Sequence, residues 1–149
     1  MSIKEKLYKL CNEYVNQRLK NVQQTILSHQ KALNSEIKSS AGDKHETGRA
    51  MLQLEMEKAG QQLVGIREMK ETLAKIDVSK EAPVASLGTL IETNLGHYFL
   101  SISAGQLVVA GNSYFAISVS SPIGKLLLGK KAGERLSFNG KEIDIQKIS

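Results

Sequence analysis

Ser39-Ser40-Ala41-Gly42-Asp43-Lys44-His45-Glu46 is the stretch on which the fold turns, because it separates two long segments that both carry apolar residues at helical spacing. Before it, from Met1 through Ala41, there is neither glycine nor proline, a strong helix signal in so polar a segment. Leu7, Leu10, Tyr14, Val15, Leu19, Val22, Ile26, Leu33 and Ile37 recur there mostly at intervals of three or four, with a gap of seven across His29 and Gln30. After it, Leu52, Met56, Ala59, Leu63, Ile66, Leu73 and Ile76 repeat the pattern. Each set draws a narrow stripe rather than a wide face, which suits a two-stranded coiled coil. The short connector predicts that the two arms pack antiparallel on each other as a helical hairpin. Gly60 and Gly65 interrupt the second arm, each at a cost of about 1 kcal/mol relative to alanine.

The character of the chain changes after Ile76. Asp77-Val78-Ser79-Lys80-Glu81-Ala82-Pro83 has the composition of a linker, and short β-type runs follow it at Thr89 to Thr93, His97 to Ser103, Gln106 to Ala110, Tyr114 to Val119, Glu134 to Phe138 and Glu142 to Ile148. Asn139-Gly140 is a two-residue hairpin signal. Ser121-Pro122 opens one short helix, with serine as the cap and proline at the first helical position, and Gly129 closes it. The expected fold class is α+β: a coiled-coil hairpin over residues 1–77, a linker over 78–83, and a small, mainly antiparallel sheet domain with one helix over 84–149.

The 149 residues, 41% of them hydrophobic, suffice for one domain or two small ones. A single cysteine, Cys11, rules out an internal disulfide and points to a reducing compartment. No apolar run approaches the roughly 20 residues a membrane span needs, and the first residues lack a secretory pattern. A cytoplasmic location is expected. The net charge of +5 is uneven: residues 1–80 hold 14 Lys+Arg against 10 Asp+Glu, net +4, and residues 81–149 hold 6 against 5, net +1. No acid falls between Glu13 and Glu36, a span containing Arg18, Lys20, His29 and Lys31. That arm suits a place beside a phosphate backbone, although a solvated basic helix face has the same composition.

Two carboxylates three residues apart, Asp43 and Glu46, offer oxygen ligands to a hard divalent cation such as Mg²⁺. The same spacing is also that of a helix cap, and one pair of residues can serve both purposes. His29, His45 and His97 show no ligand spacing with cysteine, which argues against zinc. Cys11 falls among the apolar positions and reads as a small buried hydrophobe, and Met51, Met56 and Met69 read as core filler. Neither Gly42-Asp43-Lys44 nor Ser121-Pro122-Ile123-Gly124-Lys125 has the spacing of a phosphate-binding loop.

The tip Gly42-Asp43-x-x-Glu46, the linker Ile76-Asp77-Val78-Ser79-Lys80 and above all the segment from Ser121 to Lys131 resemble the Gre family of bacterial transcript-cleavage factors. The resemblance runs in the same order along nearly the whole chain and implies an FKBP-like fold for the C-terminal domain. It further implies a monomer that enters the secondary channel of RNA polymerase hairpin first, with Ser121, Pro122, Ile123, Gly124 and Lys125 in the docking domain. Asp43 and Glu46 match the family's acidic pair, which helps hold a catalytic Mg²⁺ in the polymerase active centre while a backtracked RNA 3′ end is hydrolysed. The polymerase supplies the nuclease site in this scheme, so no cofactor of the chain's own is expected. Arg18, Lys20, Lys31, Lys44 and Arg49 would then lie near RNA. Thr47-Gly48-Arg49-Ala50 stands where the family commonly has Asn-Ala-Glu-Tyr. That departure keeps open a regulator that occupies the channel without stimulating cleavage. A prolyl isomerase built on the FKBP-like domain and a coiled-coil adaptor for an unrelated partner are the more distant alternatives.

Overall fold

A computed structural model describes the backbone over residues 1–38 and 43–149, and side chains over residues 1–35 and 47–149. Two long helices come first, α1 (Ile3–Lys38) and α2 (Asp43–Ala74). Ser2 caps α1, its Oγ accepting from the Glu5 amide at 3.1 Å and its carbonyl from the Lys6 amide. At the far end of α2 the amides of Lys75 and Ile76 reach the carbonyls of Thr72 and Leu73, a tightened last turn that satisfies otherwise orphaned acceptors.

Burial along the helices follows the apolar stripes. Leu7, Cys11, Val15 and Val22 on α1 and Ala59, Ile66 and Leu73 on α2 are buried. His29 is half-buried and falls between the half-buried Ile26 and Leu33. It therefore fills the step that the apolar pattern skips. Met51, expected as core filler, is instead 64% exposed, because it lies off the stripe that Leu52 continues.

The α+β class holds, with six strands following the helices: β1 (Leu90–Thr93), β2 (His97–Ser101), β3 (Gly105–Val109), β4 (Asn112–Ser118), β5 (Arg135–Phe138) and β6 (Lys141–Ile148), with α3 (Pro122–Leu127) between β4 and β5. They form one sheet in the order β3-β4-β2-β1-β6-β5. The sheet is mixed: among the described residues four of its five strand pairings are antiparallel, in keeping with the mainly antiparallel expectation, and one is parallel. β4 inserts between β2 and β3 and runs parallel to β2, pairing Tyr98 with Phe115 and Leu100 with Ile117. The connector from β2 to β3 is as short as a hairpin loop, but the two strands are splayed apart, and pairing across that gap is a tertiary choice. Two hairpin turns match their chemistry: Ala110-Gly111 and Asn139-Gly140 all have φ between 51° and 80°, the left-handed region such turns require.

Residues Met1–Tyr14 and Lys70–Ser149 make one compact unit and Val15–Met69 another. In the first, one sheet face carries Ile91, Leu100, Ile143 and Ile145, which close with Ala85, Leu127 and Leu136 into a core. Residues that alternate with Leu100, namely Phe99 and Ser101, are also buried, and Ser101 Oγ lies 3.7 Å from Cys11 Sγ. Strand β2 is thus covered on both sides, which explains its unbroken run of large side chains. Tyr8 Oη donates to the Leu73 carbonyl at 2.8 Å, so the start of α1 lies beside the end of α2.

Candidate functional site

Three groups of residues carry the sequence-derived site. The acidic pair stands at the start of α2: Asp43 is its first residue and Glu46 falls in its first turn. The side chains of Asp43, Lys44 and Glu46 lie outside the described residues. Among the basic residues, Arg18, Lys20 and Lys31 are exposed on α1, and Arg49 is half-buried on α2. All four belong to the Val15–Met69 unit. Arg49 Nε and His29 Nδ1 are buried nitrogens with no hydrogen-bond partner among the described residues. Among the described residues, no three His, Cys, Asp or Glu side chains gather closely enough to hold a metal ion.

The third group is the turn into α3, and its geometry is fully determined. Ser121 is extended, with φ −68° and ψ 158°. Its Oγ accepts from the Gly124 amide at 3.1 Å and donates to the Ser118 carbonyl at 2.6 Å, so one hydroxyl joins β4 to the helix. Pro122 occupies the first turn, where its missing N–H costs nothing. Gly124 is buried against β4: a β-carbon there would collide with the Ser118 carbonyl oxygen and lie 2.8 Å from Ser121 Oγ. Ile123 packs on the sheet core and Lys125 is exposed. After α3, Gly129 has φ +85° and donates to the Ala85 carbonyl, while the Ala85 amide donates to Lys130. The result is a rigid corner from which Leu126 and Leu128 project into solvent on either side of fully buried Leu127. Lys125, before these leucines in the chain, and Lys131, after them, are exposed as well.

No protein-family model, curated protein or solved structure matches this chain.

One residue of consequence was not legible as such. Lys4 is only 6% exposed, and its Nζ donates to the Lys80 carbonyl at 2.7 Å. Burial pulls its pKa below the usual lysine value, an effect opposed by the nearby charges of Glu81 and Asp77. Asp77 is itself fixed as a turn: its Oδ1 accepts from the Ser79 hydroxyl at 2.5 Å and from the Ser79 amide at 3.0 Å, and these bonds lower its pKa. In sequence Lys4 is one of three lysines among the first nine residues, and nothing sets it apart from Lys6 and Lys9. No helix among the described residues is long and apolar enough to cross a membrane.

Proposed function

We propose that the chain is a Gre-like transcription elongation factor that binds bacterial RNA polymerase through its secondary channel and stimulates cleavage of backtracked RNA. In this reading the two long helices form an antiparallel coiled coil and the sheet domain is FKBP-like. The observation that carries it is the position of the acids: Asp43 opens a 32-residue helix that follows a 36-residue helix after only four intervening residues. Two carboxylates at such a junction suit delivery to a metal centre that belongs to another molecule.

Chemically, the chain contributes ligands rather than a complete site. A Mg²⁺ held by the polymerase supplies charge neutralisation and activation of the attacking water. Asp43 and Glu46 add oxygen donors to that ion, and a hard cation that retains several waters gains affinity from each carboxylate. The exposed cations Arg18, Lys20 and Lys31 favour nearby RNA phosphates. The corner at Ser121–Lys125, with exposed Leu126 and Leu128, is the surface assigned to docking on the polymerase.

The test is transcript cleavage on a stalled elongation complex, with co-elution on core polymerase as the binding control. The intact chain is expected to co-elute and to release a 3′ fragment in the presence of Mg²⁺, and Asp43→Asn is expected to co-elute without releasing it. Co-elution without cleavage by the intact chain at any Mg²⁺ concentration would replace this reading with the non-cleaving channel regulator. Failure to co-elute, with capture of other proteins, would favour an adaptor.

A further inference from the structure

The free edge of β3 lies beside a groove whose charged side chains are two lysines and one glutamate. Among the described residues β3 pairs only with β4 and is the outer strand on its side of the sheet. The Ala110-Gly111 turn makes Val109 and Asn112 the bonded pair beside a two-residue loop. Antiparallel pairing alternates, so Val108 and Gln106 turn their N–H and C=O groups away from β4. Those four groups point to the open edge. Sheet edges are commonly blunted by charged residues or proline, yet Gly105–Val109 has neither, whereas the opposite edge β5 carries Arg135, engaged with Asp144 at 2.9 Å.

Beside this edge lies a groove of about 380 Å³ lined by Lys6, Lys9, Leu10 and Glu13 from α1 and by Val108, which is 59% exposed. Two cations against one anion favour an acidic occupant. They also disfavour a second copy of this chain, since pairing β3 with its own equivalent would bring two such basic rows together. We infer that β3 is a β-augmentation site for an extended segment of a partner protein in which apolar and acidic residues alternate. Backbone bonds to Gln106 and Val108 hold the strand, apolar side chains cover Val108 on the sheet face away from α1, and the alternate carboxylates, on the α1 face, meet Lys6 and Lys9. This surface goes beyond the cleavage function proposed above and does not depend on it.

The experiment titrates the full-length, ¹⁵N-labelled chain with an eight-residue peptide of alternating valine and glutamate. Two controls are the same peptide N-methylated at alternate amides and a valine–lysine peptide. Saturable shifts are expected at the Gln106 and Val108 amides, with affinity about tenfold or more above either control, which for the N-methylated peptide is the equivalent of one or two lost backbone bonds. Val108→Pro is expected to weaken binding by a similar factor while leaving the rest of the spectrum in place, because an outward-facing edge N–H is where proline is tolerated. Lys6→Glu combined with Lys9→Glu should reverse the preference between the two peptides. Equal binding of all three peptides, or no saturable binding up to about millimolar peptide, overturns the inference. So does a dimer that Val108→Pro converts to monomer, since the occupant would then be a second copy.

Discussion

Lys4 Nζ donates a 2.7 Å hydrogen bond to the carbonyl oxygen of Lys80, fastening the first turn of α1 to the segment that follows α2. A charged donor held in this way contributes about 2 kcal/mol, so Lys4→Ala should lower the urea midpoint and speed hydrogen exchange over residues 78–82. Burial depresses the Lys4 pKa below 10.5, so between the folded and unfolded values the unfolded chain binds more protons. The Lys4 contribution to stability therefore rises with pH through that window. Lys4→Met, which retains most of the packing, should remove this rise.

Cys11 has the opposite sign. Its thiol is fully buried and its pKa is raised by desolvation, partly offset by the contact with Ser101. Above pH 9 the unfolded chain loses the thiol proton while the folded chain keeps it, so stability falls as pH rises from 9 toward the folded value. Urea midpoints between pH 8 and 10 should decline less steeply for Cys11→Ala than for the intact protein. A thiol reagent at pH 8 should modify Cys11 only at the rate at which the chain opens.

Asp77 contributes to the acid limb. Its carboxyl is held below 3.8 by hydrogen bonds from the Ser79 side chain and amide. The stability it supplies is present above 3.8 and is lost as pH falls through the lower folded value. Ser79→Ala should shift the acid-unfolding midpoint upward.

Glycine substitutions should divide by position. At Gly60 and Gly65 a β-carbon would meet nothing within 4 Å, so neither glycine is required by packing. Each change to alanine should raise stability by about 1 kcal/mol. Gly124→Ala drives its β-carbon into the Ser118 carbonyl and should cost about 3 kcal/mol. Thermal melts of the three single variants check the contrast.

The local features were legible because each is written in neighbouring residues. The absence of glycine and proline up to Ala41, with apolar residues three and four apart, specified the first helix, and alternation between glycines located all six strands to within two residues at each end. Ser121-Pro122 and Asn139-Gly140 formed the cap and the turn that their side-chain and backbone chemistry requires. Of the candidate site, the α3 corner could be read down to its glycine-bearing turn, and Asp43 could be assigned to the junction of the helices. Distant partners could not be read in this way. That β4 would slip between β2 and β3, that Lys4 rather than Lys6 or Lys9 would be buried, and that Ser101 would meet Cys11 across 90 residues depend on which surfaces come together. Propensity and periodicity act over a few residues of chain, whereas strand order and burial are settled by the free energy of the whole packed unit.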